Sequence, residues 1–259
     1  MKLQRYSGNP ILSPHPDHPW EDLAVFNPGA WYDTEQQEVL LLYRAAESHP
    51  EYKCYFGLAR SRDGLNFERA SDQPVLSPSE DGFDASTIQD PRMVKMGEYF
   101  YITYAFRHYP FGQFWVPDSQ RYFPPPRPAE FPRYLRENAT LTGLLLTKDF
   151  RTWIRAGNLT DPCLDDRDVI LFPEKINGKF VKLHRPLEWI GDDYGCEHPA
   201  IWISKSDDLL DRGSSTLLAK QEFDWEANKI GANTPPIRTP HGWLTLYHAV
   251  GTDKFYRIG

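Results

Sequence analysis

The sequence predicts an all-β chain whose strands recur in units of about four, the pattern of a β-propeller. Short apolar and aromatic runs typical of strands return throughout the 259 residues, separated by 23 Pro and 17 Gly. No stretch carries the sustained i, i+3, i+4, i+7 spacing of a long amphipathic helix. A β-sandwich is the alternative, but the recurrence of whole strand triplets favours the propeller.

Each unit contains a predicted second strand of seven or eight residues. Predicted second strands cover residues 39–45, 99–106, 179–186 and 243–250. Shorter extended segments containing Pro precede them, at 26–28, 89–91, 171–173 and 234–236, and further strands follow them, at 55–61, 142–147, 200–204 and 255–259. An Asp-containing turn then leads into an outer strand at 62–69 and 148–155, with a weaker third copy at 205–210.

Two stretches interrupt the repeat, at about 107–137 and at 187–196. The first holds seven Pro between Pro110 and Pro132 and many aromatic residues. Pro this dense cannot build a central strand, and residues 133–138 form at most one helical turn. The stretch is either a surface loop or a lid or subunit contact, because so many aromatic side chains are seldom left in water.

The composition excludes several classes of protein. With 36 acidic and 29 basic side chains the net charge is −7, which does not favour nucleic acid as a partner. Apolar runs of about five residues are far shorter than the roughly 20 that cross a bilayer. The N-terminus lacks the apolar segment of a secretory signal, so a cytoplasmic location is expected. Cys54, Cys163 and Cys196 form no CxxC and are expected to be reduced.

The innermost strands of a propeller and the loops that feed them converge on one end of the central channel, so the site is expected at the same place in each unit. No GxSxG, GxxxxGK[ST] or HExxH motif is present, and His184 and His248 lack partners at metal-ligand spacing, so no metal site is predicted. The polar set mixes carboxylates, cations and aromatics, as a site for a sugar and an anion does. Its members are Asn27, Arg44, Asp90, Arg92, Tyr104, Arg107, His108, Asp168, Glu174, Lys175, His184, Arg185, Lys229, Tyr247 and His248.

Motifs in the same order along nearly the whole chain resemble glycoside hydrolase family 130, which contains β-mannoside phosphorylases and some β-mannosidases. The motifs are FNPGA at 26–30, LYRA at 42–45, ARSRDG at 59–64, DPR at 90–92, TKDF at 147–150, DVILFPEKINGK at 168–179, LHRP at 183–186, KIG at 229–231 and WLTLYH at 243–248. The resemblance implies a five-bladed propeller in a single domain, residues 1–259. About four blades are present, so we expect the fifth, C-terminal blade to be missing.

The resemblance also implies chemistry: an inverting enzyme that acts on a terminal β-linked mannose of a manno-oligosaccharide, with Asp90 as general acid. Inorganic phosphate is then the co-substrate, α-mannose 1-phosphate the product, and no other cofactor is needed. We expect the substrate ligands to be Asn27, Arg44, Arg60, Asp63, Arg92, Tyr104, Tyr247 and His248. The expected phosphate cradle contains His184, Arg185, Lys229, Arg167 and Lys175, since phosphate binds to clustered cations.

One departure leaves the reaction type open. Phosphorylases of the family carry an Arg shortly before the TKDF segment, whereas residues 139–144 here are uncharged. Either Arg107, Arg133 or Arg136 replaces it, or the enzyme is a hydrolase that uses water with Asp168 or Glu174 as base. An inverting hydrolase needs two carboxyl groups about 6.5–9.5 Å apart. A non-catalytic glycan-binding propeller is the third alternative.

The substrate details stay open at this stage. The sequence does not distinguish β-1,2 from β-1,4 linkages, or the sugar on the acceptor side. The insertion, with Trp115, Tyr122 and Phe131, is predicted to shape the acceptor side, and its apolar character would also suit a contact in a homo-oligomer. Neither nucleic acid nor a membrane is expected as a partner.

Overall fold

The computed structural model describes residues 4–259, so residues 1–3, where the segment inspected for a secretory signal begins, lie outside it. Nearly all its regular structure is antiparallel β-sheet, which confirms the predicted all-β class. The helical segments of the described part are α1 (Arg133–Arg136) and 3₁₀ turns at Asp192–Tyr194 and Asp224–Glu226. None of the described helices is long and apolar enough to cross a membrane.

The strands form four blades in chain order. Blade one contains β1 (Ala24–Asp33), β2 (Glu38–Ala46), β3 (Cys54–Ser61) and β4 (Glu68–Arg69); blade two contains β5 (Thr87–Met96), β6 (Tyr99–Arg107), β7 (Leu141–Thr147) and β8 (Ile154–Asn158). Blade three contains β9 (Asp166–Leu171), β10 (Phe180–Pro186), β11 (Ile201–Ser206) and β12 (Ser214–Ala219). The last region contains β13 (Lys229–Ala232), β14 (Ile237–Thr239), β15 (Gly242–Leu244), β16 (Tyr247–Val250) and β17 (Tyr256–Ile258). There β13, β16 and β17 make the sheet of blade four, and β14 pairs with β15 in a separate hairpin.

Three predicted second strands are confirmed as β2, β6 and β10. The fourth prediction, 243–250, is wrong because that stretch divides between β15 and β16. The first strand of blade four is β13 rather than 234–236, where two consecutive Pro lack the N–H groups that a sheet requires. In blade three the outer strand is β12 rather than 205–210, since Asp208 accepts the Leu210 N–H and closes a turn there.

By its internal contacts the chain divides into two compact units. One comprises the residues up to Pro91 with His108–Pro125, and the other comprises Arg92–Arg107 with Pro126–Gly259. In the first unit the side chains of Trp20, Leu41, Tyr43, Ala45 and Ala59 pack together in a buried cluster. The second unit has a larger buried cluster made of Ile170, Phe172, Val181, Leu183, Ile201, Ile230, Ala232 and Ala249.

Three blades share a tyrosine that lies over a glycine of the chain segment paired with it. A Cβ atom on that glycine would come within 2.1–2.6 Å of the tyrosine ring, so the ring fits only because the side chain opposite is absent. The pairs are Tyr43 with Gly57, Tyr104 with Gly143, and Tyr247 with Gly259.

Two of these tyrosines bind a buried glutamate. The Tyr43 hydroxyl donates to Glu21 Oε2 at 3.0 Å, and the Tyr247 hydroxyl donates to Glu226 Oε1. Both glutamates are buried, and each follows a tryptophan in the sequence. Trp-Glu is therefore a second repeated element, and it was missed in the sequence because it lies outside the central strands.

Candidate active site

The first strands of three blades each carry a left-handed residue other than glycine. These residues are Asn27 in β1, Asp90 in β5 and Asp168 in β9, with φ of 45°, 51° and 54°. The pairing register shifts at this point in the β1–β2 and β9–β10 ladders. Such a bulge re-aims the side chain away from the normal alternation, and Asn and Asp tolerate the left-handed region better than most residues. Strained positions of this kind concentrate at functional sites.

In the first unit, Asn27, Arg44 and Asp90 form one hydrogen-bonded cluster, the Asp90 group. Asn27 Nδ2 and Arg44 Nη1 both donate to Asp90 Oδ1, each at 3.0 Å. The guanidinium of Arg44 is buried, whereas the Asp90 side chain keeps 32% of its surface exposed. A carboxyl group held by two donors but open to solvent can meet a substrate.

Arg44 is held in place by neighbouring groups whose contacts with it were not predicted from the sequence. Its Nε donates to the buried Cys54 Sγ at 3.2 Å, and its guanidinium lies 4.4 Å from the centre of the Phe26 ring. Burial raises the pKa of Cys54, so the thiol stays protonated. Burial by itself lowers the pKa of Arg44, but the adjacent Cys54 and Asp90 outweigh it and raise that pKa overall.

Tyr52 completes the surroundings of Arg44. It is buried, has a left-handed backbone with φ 58°, and places its ring 5.9 Å from the Arg44 guanidinium. Burial is the main cause that raises the pKa of Tyr52 to about 12; the positive charge of Arg44 acts in the opposite direction. No local pattern marks a tyrosine for this conformation, so its role could not be predicted.

In the second unit, Asp168, Arg185 and His248 form the Asp168 group. Arg185 Nε donates to Asp168 Oδ2 at 2.7 Å, and His248 Nε2 lies 3.4 Å from the same oxygen. Burial alone raises the pKa of Asp168, but the neighbouring Arg185, His248 and Arg92 outweigh it and hold that pKa at about 2. The carboxylate is therefore ionised at neutral pH.

Gly231 allows this group to assemble. It pairs with His248 across β13 and β16, and a Cβ atom there would lie 2.2 Å from Asp168 Oδ2 and 2.7 Å from His248 Cε1. Burial lowers the pKa of His248, with Arg185, Lys229 and Arg92 adding to the effect and Asp168 opposing it. The neutral form of the His248 imidazole is therefore favoured, because burial and the positively charged side chains around it both oppose protonation.

Comparison with known proteins decides the family. The model of glycoside hydrolase family 130, described as β-1,4-mannooligosaccharide phosphorylase, matches residues 5–111 and 136–259. The chain belongs to this family. A 1,2-β-oligomannan phosphorylase from Thermoanaerobacter sp. (strain X514) is 34% identical over 265 residues, covering 100% of this chain and 75% of the relative. The β-1,4-mannooligosaccharide phosphorylase of Ruminococcus albus is 27% identical, covering 96% of this chain and 64% of the relative.

Solved structures of family 130 enzymes have the same fold. The β-1,2-mannobiose phosphorylase of Listeria innocua, in complex with β-1,2-mannobiose, superposes with a TM-score of 0.75 at 25% identity. The alignment covers 100% of this chain and 78% of that one. With the blade topology above, this confirms the predicted propeller fold class. The family model skips residues 112–135, which lie inside the predicted insertion.

Not every predicted phosphate ligand of this family 130 chain joins the Asp168 group. His184 is adjacent to Arg185 in β10, but successive side chains of a strand point to opposite faces. It is buried, with Nδ1 2.8 Å from Asp166 Oδ2 and Nε2 2.7 Å from Ser204 Oγ. The structure therefore gives His184 a place inside the sheet of blade three, and its assignment to the cradle stays a prediction that these contacts do not support.

The other predicted cradle cations have separate partners. Arg167 Nη2 donates to Asp165 Oδ2 at 2.8 Å. Lys229 Nζ donates to the Tyr256 hydroxyl at 2.7 Å, yet its charge still acts on His248. Lys175 Nζ lies 4.1 Å from the centre of the Phe180 ring. Of these three, Lys229 and Arg167 are linked to the Asp168 group through their charge, since Asp168 is one of the groups that raise the pKa of Arg167.

Two predicted sugar ligands have packing contacts of their own, Tyr104 in the interior and Tyr247 at a partly buried position. Tyr104 is 1% exposed and covers Gly143, and Tyr247 donates to Glu226 with its ring 5.7 Å from that of Trp225. Each ring fits over a glycine on the segment opposite, and the role of both tyrosines in sugar binding stays a prediction that these contacts do not explain.

Arg60 and Asp63 have partners of their own on blade one. Arg60 Nη1 donates to Glu38, and Asp63 Oδ1 accepts the N–H groups of Leu65 and Asn66, both at 2.8 Å. The backbone N–H groups of Asn66 and Leu65 lower the pKa of Asp63. The predicted role of Arg60 and Asp63 in sugar binding stays a prediction that these contacts do not explain.

The arginines considered as a substitute phosphate ligand also have other contacts. Arg107 Nη1 donates to the carbonyl of Asn138, and Arg136 Nε donates to that of Phe131 at 3.0 Å. Arg133 pairs with Glu137 at 2.8 Å and lies 3.4 Å from Glu188. None of these contacts joins the three arginines to Asp168, Arg185 or His248.

Proposed function

We propose that this chain is an inverting glycoside phosphorylase. It cleaves a terminal β-linked mannose from a manno-oligosaccharide with inorganic phosphate and releases α-mannose 1-phosphate. Two of the family 130 relatives above are named phosphorylases of β-mannosides and align with at least 96% of this chain. The observation that carries the reaction type is the state of Asp168, which is ionised and paired with Arg185.

We assign Asp90 as the general acid that protonates the glycosidic oxygen. When the proton has left, the carboxylate remains beside Arg44 Nη1 and Asn27 Nδ2, which both donate to its Oδ1. Donors preorganised toward a developing negative charge lower the barrier to its formation. The Asp90 group therefore stabilises the product state of the proton transfer.

We assign the Asp168 group to phosphate. Arginine suits a bidentate contact with phosphate, and Asp168 fixes the Arg185 guanidinium through Nε. Arg92 and Lys229 add positive charge around His248. Asp168 is then a positioning residue, and the attacking nucleophile arrives already anionic, so a protein base is unnecessary.

The structure favours phosphorolysis over hydrolysis. A general base works best when its pKa lies near the operating pH. The pKa of Asp168, at about 2, is too low for that role. Glu174, the other carboxylate considered as a base, is 58% exposed and lies 3.5 Å from Arg238. A non-catalytic glycan-binding protein has no need of an arginine-held carboxyl group such as that of Asp90.

The test is incubation of the protein with β-1,2- and β-1,4-mannobiose, with and without inorganic phosphate. We expect α-mannose 1-phosphate in the tube with phosphate, identified by ³¹P and ¹H NMR. Free mannose in both tubes would show a hydrolase, and no turnover of either isomer would favour a glycan-binding protein. The same assay also reports the linkage.

The acid is tested by Asp90→Asn, which we expect to abolish turnover while the circular dichroism spectrum and melting temperature stay unchanged. Asp149→Asn is the matched control, because Asp149 lies in an exposed turn where its Oδ1 accepts the N–H groups of Arg151 and Thr152. An active Asp90→Asn variant would refute the assignment.

Inorganic phosphate is the only co-substrate that this reaction requires, and we propose no metal or organic cofactor. The cytoplasmic location, a homo-oligomeric state and the absence of nucleic acid and membrane partners stay predictions from the sequence.

A further inference from the structure

The insertion folds back onto the loop that carries Tyr52. Gln113 Nε2 donates to the carbonyl oxygens of Ser48 at 2.8 Å and of His49 at 3.3 Å. The Phe111 ring meets the Tyr52 ring edge to face, with 5.5 Å between centroids. Because the first half of the insertion belongs to the same compact unit as the Asp90 group, these contacts fix its position relative to that group.

A continuous series of contacts leads from Asp90 to Trp115. Arg44 donates to Asp90 at 3.0 Å and lies 5.9 Å from the Tyr52 ring. The Trp115 ring stands edge to face on Tyr52, with 4.8 Å between centroids. Tyr52 is buried between these two neighbours, and its left-handed backbone holds it there.

Trp115 is held by neighbouring rings but remains partly exposed to solvent. Its side chain keeps 49% of its surface exposed, although it contacts both Tyr52 and Phe114. Exposed aromatic surface that borders a polar site is a place for a ligand with both apolar and polar groups, and a pyranose ring has such a C–H face and hydroxyl rim.

We propose that Trp115 stacks on the sugar of the acceptor side, the one released when the glycosidic bond breaks. This rests on the proposed function, in which Asp90 protonates the oxygen between the two sugars. The family model omits residues 112–135, so Trp115 lies in a segment that the shared mannose-binding residues do not include. The acceptor sugar is the part of the substrate that differs between relatives named for mannobiose, for mannooligosaccharides and for mannosyl-glucose.

The experiment measures the reverse reaction, in which α-mannose 1-phosphate and an acceptor sugar give a β-mannoside and phosphate. We expect Trp115→Ala to raise the KM for the acceptor by roughly tenfold, equivalent to about 1.4 kcal/mol, while the KM for mannose 1-phosphate stays unchanged. Trp115→Phe should recover part of the loss. Phe223→Ala is the control, because it removes another exposed aromatic side chain in the other unit.

Three results would overturn the inference. An active wild type whose Trp115→Ala variant keeps its acceptor KM overturns this inference alone. A Trp115→Ala variant that changes oligomeric state in size-exclusion chromatography, with both KM values raised, shows instead that the residue is a subunit contact. Wild-type protein that forms no mannose 1-phosphate from any mannobiose and no mannoside in reverse overturns the proposed function as well.

Discussion

Replacement of Asp168 by Asn tests whether an ionised carboxylate holds the Asp168 group together. The side chains have the same shape, so the change removes the charge that pairs with Arg185 and lies beside His248. In the folded protein the pKa of Asp168 is lowered from 3.8 to about 2. A group with a lowered pKa stabilises the fold above its unfolded value and loses that contribution as the pH falls through its folded value.

The size of the effect follows from that shift. At 1.36 kcal/mol per pKa unit, the ionised carboxylate contributes about 2 kcal/mol to the free energy of unfolding at pH 7. By the same calculation, the contribution of the carboxylate to the free energy of unfolding falls to about 1 kcal/mol at pH 3. We therefore expect Asp168→Asn to be less stable than the wild type by about 2 kcal/mol at pH 7 and by about half of that at pH 3.

Urea unfolding followed by tryptophan fluorescence at pH 7, 5, 4 and 3 measures this difference. Glu174→Gln is the control, since loss of an exposed ion pair should change the free energy of unfolding by less than ~1 kcal/mol. A destabilisation of Asp168→Asn that is the same at every pH would refute the electrostatic account. In the activity assay, the same variant should raise the KM for phosphate more than it lowers kcat, because Arg185 loses its fixed orientation.

Three further predictions concern residues that act through contacts with parts of the chain distant in sequence. Gly231→Ala should lower kcat/KM by at least about tenfold and destabilise the protein by about 1–3 kcal/mol, because the new Cβ atom overlaps Asp168. Steady-state kinetics and urea unfolding measure the two effects. Near-wild-type values would contradict this steric explanation. Tyr43→Phe should cost about 1–2 kcal/mol in urea unfolding because Glu21 loses a buried donor, and an unchanged midpoint would exclude a stabilising role for that bond. Arg44→Lys should lower kcat by more than about tenfold at nearly unchanged stability, because one ammonium cannot replace the fork of Arg44, and full activity would rule out a specific need for it.

The fold could be predicted where the local pattern and the tertiary structure agree. The strands β2 and β6 are mainly apolar or aromatic runs, β10 places Phe, Val and Leu among polar residues, and all three match their predictions closely. Strand β13 was missed because Lys229–Ala232 is short and contains a glycine, so its pairing with β16 is set by the neighbouring strand rather than by its own composition. Local propensity is weak for such strands.

The candidate site was predicted in part. Family motifs pointed to Asn27, Arg44 and Asp90, which do form one cluster, and to Arg185 and His248, which do meet at one carboxylate. The choice between His184 and Arg185 depends on which face of β10 each occupies. A one-residue step reverses the face, and sequence alone does not fix the register.

The residues that were missed share a different cause. Cys54, Tyr52 and Gly231 take part through contacts across strands or through an unusual backbone angle, neither of which leaves a local pattern. Gly231 stands in a recognised motif, but the reason for its presence appears only when the Asp168 and His248 side chains are seen on either side of it.

The left-handed position in the first strand of three blades also bears on how such a protein can diverge. The backbone angle φ differs by less than 10° between Asn27, Asp90 and Asp168, at 45°, 51° and 54°. The side chain is an amide at one position and a carboxyl group at the other two. Codons for Asn and Asp differ by a single nucleotide, so one mutation in a duplicated blade can exchange a neutral hydrogen-bond donor for a titratable acid without changing the path of the chain. Copies of one structural unit can in this way acquire separate chemical tasks.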